Sequence, residues 1–551
     1  MKAFVGRAGA LATLGILLLA CVKINEGLGA DYMESSQLYD IYSVEVPLEN
    51  IRMEFPDSLS GLSDSRITIG AVKDDVYGTT TRSCALTLVP ALDTVDFGKD
   101  PVFQRMHFAA AVDTLSYPDE ESRYIIQQFK VYELDEPINF GKLKTNSTIK
   151  RKDVPINDGP VIYSGGDSLS FDFTREFGQR FLDELDWRTD LDTMPHYTAK
   201  FPGIIIESDR PSANGGRINC FKVPSVTYSS SYKSYVLNGN HVTLKLNAEY
   251  EGERKDTAFL FLWGETDLID EASYVEASTS QAFPQYALNL TGHETRGMTG
   301  VATDEIYIEG GGGLKPVIDA RELKNIALDV INKYGDPSST VITNASVVLP
   351  FELPGSWYQL DHAFPVILSP TMRILSDGRV SFAGLSDSSV STENQGGINR
   401  STLCYEPDIT NHLQHIINLE DEDELDNYDI WLLIMSKVTV ETVNDTSYSD
   451  AYTQMMYYSY LNSIYGGYGG YGGYGYGGYG YGYGGYGGYG YSNYYNYAMM
   501  AAMMSASSGG TSSSVSTILD RDAYFRASLN GPTSPNARKP FIRITVAVPK
   551  G

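Results

Sequence analysis

Short segments in which apolar and polar residues alternate recur along almost the whole chain, with Gly, Asn and Asp standing between them. A period of two turns one face of a segment to a core and the other to solvent, the pattern of half-buried strands. Tyr42, Val44, Val46 and Leu48 alternate in this way, and residues 66–70, 124–134 and 168–173 follow the same rule. Residues 235–237 and 241–246 flank Asn238-Gly239, and residues 372–375 and 379–383 flank Asp377-Gly378. Both dipeptides predict two-residue hairpins. Residues 431–443 and 541–548 are longer β-branched strands. The expectation is a mainly β fold of one or two antiparallel β-sandwich-like domains. An N-terminal β domain would cover residues 38–250 and a C-terminal one residues 251–551.

Helices are few and local. Asp319 and Glu322 have the spacing of a capping box. Leu323, Ile326, Ala327, Val330, Ile331 and Tyr334 then form one apolar face, which Gly335 ends. The stretch from Thr174 to Leu185 makes a second helix, with Phe177, Phe181 and Leu185 on one side. Ile409, Leu413, Ile416 and Ile417 mark a short third.

One segment departs from all of this. From Tyr465 to Tyr491 the chain is almost pure Gly and Tyr. Such low complexity cannot bury a core, because Gly loses the most backbone freedom on ordering. Met455, Met456, Tyr457 and Tyr458 precede it, and Met499, Met500, Met503 and Met504 follow. Residues 450–516 therefore read as an insertion in the C-terminal domain, with two apolar arms, a Gly/Tyr tip and a Ser/Gly-rich return over 505–516. Tyr supplies amphipathic contact area at low entropic cost, and exposed Met clusters aggregate unless something covers them. Those arms, with Tyr465 and Tyr491 at the limits of the tip, are the candidate partner-binding element. The plainer alternative is a tolerated loop with no role.

At the other end, Lys2 and Arg7 introduce an apolar run that closes on Leu18-Leu19-Ala20-Cys21. The run is too short to span a bilayer and has the form of a secretory signal over residues 1–20. A Cys after Leu-Leu-Ala matches a bacterial lipobox. Cys21 is thus the expected first mature residue, carrying diacylglycerol on its sulfur, and residues 22–37 are a polar tether. Two or more acyl chains anchor a protein stably. The formal net charge is −27, and loss of Lys2 and Arg7 with the signal takes it to −29. An acidic surface of this size repels nucleic acid and anionic lipid. Partners are then a protein, a glycan, a cation or a basic peptide. Beyond the anchor only Cys84, Cys220 and Cys404 remain. They are too few for a disulfide framework and fit buried apolar positions, although one pair has the option of oxidising.

Several stretches, in order, carry a family likeness. Ile69-Gly70 with Asp74-Asp75-Val76-Tyr77-Gly78-Thr79 has the form of an early glycine–aspartate–glycine signature. Val131-Tyr132-Glu133-Leu134 and Phe201-Pro202-Gly203-Ile204-Ile205-Ile206 match two later strands. Residues 307–313, the helix after them and Asn344-Ala345 match a glycine–helix–strand portion. Gly396-Gly397, Tyr405, Asp408-Ile409-Thr410 and Gln414-His415-Ile416 match the closing portion. In this the chain resembles a family of Bacteroidota outer-membrane lipoproteins that carries only a "domain of unknown function" label, numbered in the four-thousand-two-hundreds. The resemblance spans nearly the whole mature chain apart from the Gly/Tyr insertion. It implies an anchored, mainly β protein, and no known activity or catalytic residues.

Candidate chemistry is sparse. His412 and His415 stand three apart on a predicted helix, but an apolar face centred near Leu413 puts His415 in solvent and His412 at its margin. The run from Glu420 to Glu424 lacks the alternating ligands and turn glycine of a calcium loop and fits a solvated acidic turn. Gly310 to Gly313 lies between strand and helix but lacks the Gly-Lys-Ser/Thr of a phosphate loop, so a tight backbone turn is expected. No Gly-x-Ser-x-Gly elbow occurs. Ser58, Thr94, Thr114, Ser168, Thr193 and Thr257 each follow Asp and precede an apolar residue, a triplet that resembles the phylum's O-glycosylation acceptor. No catalytic residue, metal site or cofactor is expected. The leading expectation is a non-catalytic outer-membrane lipoprotein, an interaction or structural component of a cell-envelope assembly with an envelope protein as partner. Lys23 beside a single acid, Glu26, favours the periplasmic leaflet over the cell surface. One alternative is a surface glycan-binding lipoprotein with Trp187, Trp263 and Trp357 as a stacking platform. Another is a hydrolase with a spatially assembled acidic site.

Overall fold

The computed structural model describes residues 38–550 except 58, 63–65, 92–94, 140–141, 230–233, 238, 265–279, 283–285, 295–297, 377–378, 390–395 and 444–510. Cys21 with its tether, Ser58, Thr94 and the Met and Tyr residues nominated in the insertion lie outside the described residues. The fold is mainly antiparallel β, sandwich-like, with a few short helices.

Two large apolar clusters divide the molecule into lobes that do not follow chain order. One draws on residues from Ile67 to Ala287. The other joins Leu48, Ile51 and Met53 to residues from Ala302 to Val546. The chain therefore begins the second lobe, builds the first, and returns. Strand Tyr39–Pro47 lies against Phe541–Pro549, in register from Tyr39↔Pro549 to Pro47↔Phe541, so both ends of the described chain close the second lobe. The boundary expected at 250–251 falls in the turn between the paired strands His241–Tyr250 and Glu253–Leu262.

The first lobe is one large sheet. It runs from Glu253–Leu262 through His241–Tyr250, Lys99–Ser116, Gly215–Lys222, Arg66–Asp74, Gly78–Leu86 and Ile204–Ser208 to Gln127–Leu134. Phe261 near one end and Phe129 near the other belong to one core, so the sheet curls over itself. Helix Arg175–Glu184 fills the curl. Thr174 caps it by accepting from the Phe177 N–H at 3.3 Å, as expected for an N-cap. Its Phe181 ring sits 4.6 Å from Phe201 and 5.5 Å from Phe261. Gly178 permits the approach, since a Cβ there would lie 2.0 Å from the Phe103 ring.

In the second lobe a five-stranded and a seven-stranded sheet share one core with helices Ala320–Tyr334 and Thr410–Ile417. Strand Phe541–Pro549 shows the alternation plainly: Ile542, Ile544 and Val546 point inward, while Phe541, Arg543 and Thr545 are half-buried. Asp319 accepts from the Glu322 N–H at 3.0 Å, the first half of the expected capping box. The second half is not made. Glu322 instead accepts from the Glu49 and Asn50 N–H groups at 2.7 and 3.0 Å, tying the helix to the incoming chain.

The two turn dipeptides have different fates. Met372↔Ala383 through Ser376↔Arg379 pair as a hairpin around Asp377-Gly378. Around Asn238-Gly239 there is no hairpin: Ser234–Leu237 pairs with Ser225–Ser229, whereas His241–Tyr250 pairs with Lys99–Ser116 and Glu253–Leu262. Burial decides it. Val242, Leu244, Leu246 and Ala248 are fully buried, which demands a central place in the large sheet. The Asn240 side chain pins that place, accepting from the Ala111 N–H at 2.7 Å and donating to Val223 O at 3.1 Å. The Ser-rich return also differs from expectation, because Thr511–Leu519 is a strand on Ile430–Val443.

Candidate functional site

Buried charge concentrates where the lobes meet. Strands Gly78–Leu86 and Ala287–His293 of the first lobe face the pair Glu305–Glu309 and Arg526–Asn530 of the second. The Arg526 guanidinium binds Asp74, lies 3.4 Å from Glu309 and donates to the Thr80 hydroxyl at 2.6 Å. That hydroxyl donates to one oxygen of Glu309, and His293 Nδ1 stands 2.7 Å from the other. The Arg526 and Glu309 side chains are only 5% and 4% exposed, so the pair is shielded from screening by salt. Burial by itself would raise the Glu309 carboxyl; His293, Thr80 and Arg82 outweigh it and hold the group below its ordinary value. The Tyr77 hydroxyl donates to Ala527 O at 2.7 Å and locks the first lobe to the second lobe's backbone.

The glycine run completes this seam. The Lys315 amino group donates to Glu309 O, to Gly311 O at 3.0 Å and to Gly313 O at 2.7 Å. Burial pushes its ammonium down to about 7. Gly311 has φ +59°, and a Cβ there would meet the Arg82 guanidinium at 2.1 Å. The turn is thus tight, as expected, and it presses on the first lobe. Its carbonyls turn inward to a cation, the opposite polarity from the N–H groups a phosphate requires. Residues 74–79 and 307–313 meet here, where the Tyr77 hydroxyl lies 3.3 Å from Ile308 O.

Both oxygens of Glu309 and of Asp74 are engaged within the protein. The Arg82 Nε and Nη2, the His293 Nε2 and the Tyr524 hydroxyl are buried with no hydrogen-bond partner among the described residues. The Arg526–Asp74 and Arg526–Thr80–Glu309 contacts bolt the two lobes together, and the unpartnered atoms of Arg82, His293 and Tyr524 lie beside them. The seam was not singled out from sequence. A signal was present: Thr79, Thr80 and Arg82 are polar residues at core positions of a strand. A second buried carboxylate, Glu133, pairs with Lys152 at 2.9 Å and with Arg180. It borders a cavity of about 20 Å³ between Phe177, Phe181, Tyr197 and Phe201, room for a single water.

Strands Ile430–Val443 and Thr511–Leu519 pair from Met435↔Leu519 to Val443↔Thr511. The chain leaves the described structure after Val443 and rejoins it at the residue directly opposite.

The remaining nominated residues are scattered. Thr114, Ser168 and Thr193 are exposed and Thr257 is half-buried. Cys84, Cys220 and Cys404 are buried and unpaired with one another. His412 was expected at a helix margin and is instead buried, because Tyr428 closes over it and lies 2.9 Å away through its carbonyl oxygen. Burial pushes that imidazole down to about 4. The acidic run from Glu420 to Glu424 is exposed throughout, as expected, and at the surface Glu422 lies 3.4 Å from Arg321 and 3.6 Å from Lys324. Among the described residues no group of three or more His, Cys, Asp or Glu converges to hold a metal. The three Trp do not form a platform. Trp263 is fully buried on Phe108, Trp187 packs partly into the core, and Trp357 alone of the three is widely exposed, at 64%. No family model, curated protein or solved structure matches the chain.

Proposed function

We propose that the chain is a lipid-anchored, non-catalytic component of an outer-membrane assembly, a bolted two-lobe scaffold whose Met/Tyr/Gly insertion docks an envelope protein. The observation that carries this reading is the paired base of the insertion. A segment that leaves and returns at opposed residues of one ribbon can be elaborated without disturbing the core. The seam supports the scaffold part, since Asp74, Thr80, Glu309 and Arg526 join the two lobes through buried contacts. Attachment is assigned to Cys21 on the lipobox-like Leu18-Leu19-Ala20-Cys21, with the periplasmic leaflet favoured. Deleting residues 452–507 should leave the melting transition in place and abolish co-purification of partners. An unchanged partner list would count against the docking role.

A second reading, glycan binding, keeps one specific support. Trp357 opens helix Trp357–Ala363, and Asp361, one turn on, pairs with Arg400 at 2.7 Å. An exposed indole beside a carboxylate–guanidinium pair offers both stacking and hydroxyl contacts to a sugar. Affinity electrophoresis on polysaccharides, with Trp357→Ala as control, tests it; no retardation removes it.

A further inference from the structure

The outer face of the five-stranded sheet is banded along the strand direction. Ile41, Ala547 and Val341 are direct neighbours across three strands. With Tyr39 they form an apolar end, where Tyr39 is 50%, Ile41 61% and Val341 50% exposed. Two residues further along comes a hydroxyl band, in which Thr545 donates to Ser43 at 3.3 Å and Thr343 donates to Thr545 O at 3.1 Å. Beyond it Arg543 binds Glu45 at 3.0 Å and also Glu406. Successive bands are about 7 Å apart. On the opposite face of the same end Tyr42 stacks on Tyr334 at 4.7 Å, and the Lys333 amino group lies 5.2 Å from the Tyr334 ring. Asp40 is paired with Lys550 at 3.0 Å.

The order apolar, hydroxyl, charged begins where the chain enters from residues 1–37, the part that carries the anchor. Half-exposed aliphatic groups ringed by Tyr and Lys are the composition of a membrane–water boundary. We propose that this end of the sheet rests in the headgroup–acyl boundary of the membrane that holds the anchor. The inference rests on the lipidation assigned to Cys21. It makes the protein lie against its membrane in one orientation, with Tyr39, Ile41 and Val341 inserted and the Glu45–Arg543–Glu406 band in water.

The test uses the full lipidated chain on zwitterionic phosphatidylethanolamine–phosphatidylcholine vesicles with brominated acyl chains. Ile41→Cys, Val341→Cys and Glu45→Cys each carry an environment-sensitive fluorophore, while the native cysteines at 84, 220 and 404 are buried from the label. The expected result is at least about twofold quenching at 41 and 341 and little at 45. Flotation with the vesicles and the acyl mass on Cys21 report the anchor separately. A chain that does not float overturns anchor and face together. A chain that floats with position 41 unquenched overturns the face alone. Protection of 41 and 341 without quenching, accompanied by a doubled mass, assigns the face to a second copy and likewise overturns the proposal.

Discussion

Arg526 is the residue on which the junction turns, because it alone touches Asp74, Thr80 and Glu309. Removing one partner of a buried pair strands the other charge without water. Arg526→Met should therefore cost about 3–5 kcal/mol in urea unfolding. A loss under about 1 kcal/mol would place the pair in an effectively solvated setting. Lys315 supplies a pH signature. Its folded value of about 7 lies below the ordinary 10.5. Between those values the unfolded chain holds one proton more than the folded chain, so this contribution makes stability rise with pH across that window. Below pH 7 both states are protonated and the full cost of the buried ammonium is present. Lys315→Met removes this contribution. Subtracting the variant's stability from that of the parent across pH 6–10 should leave a rising difference, and a flat difference would show that the three carbonyls hold the proton throughout.

At the scale of elements, close approach outweighs propensity. Helix Arg175–Glu184 carries Gly178 against Phe103. Ala is worth about 1 kcal/mol over Gly in a free helix. Gly178→Ala should nevertheless destabilise by about 1–3 kcal/mol, because the methyl group overpacks a closed core. A stabilised variant in thermal melts would mean that the helix shifts freely. The elements also show what local pattern can reveal. Thr174, Phe177 and Phe181 mark a helix with a cap and one apolar face, and that helix forms. Asp377-Gly378 joins a true hairpin. Asn238-Gly239 has the same local chemistry but no hairpin, because the apolar face from Val242 to Ala248 finds better partners far away in sequence. Glu322 likewise leaves its own cap for two N–H groups 273 and 272 residues away in sequence. Local signals are legible when no remote partner competes for the same groups.

For the whole molecule, alternation and turn residues were enough for a mainly antiparallel β fold. The placement of one lobe inside the other was not legible, since it depends on Tyr39–Pro47 pairing with Phe541–Pro549 across nearly the full chain. Nor was the seam, whose members come from residues near 80, 293, 309, 315 and 526 and meet only when both lobes exist. The bolted lobes should unfold in one transition, and Arg526→Met should split it in two by calorimetry; a split already present in the parent would mean that the lobes are energetically independent. The scaffold account has its most direct test in the membrane itself. The tagged, lipidated protein would be drawn in mild detergent from its own outer membrane, beside protease shaving of intact cells. The account predicts a stoichiometric envelope partner and protection from shaving. Recovery of the protein alone would contradict it.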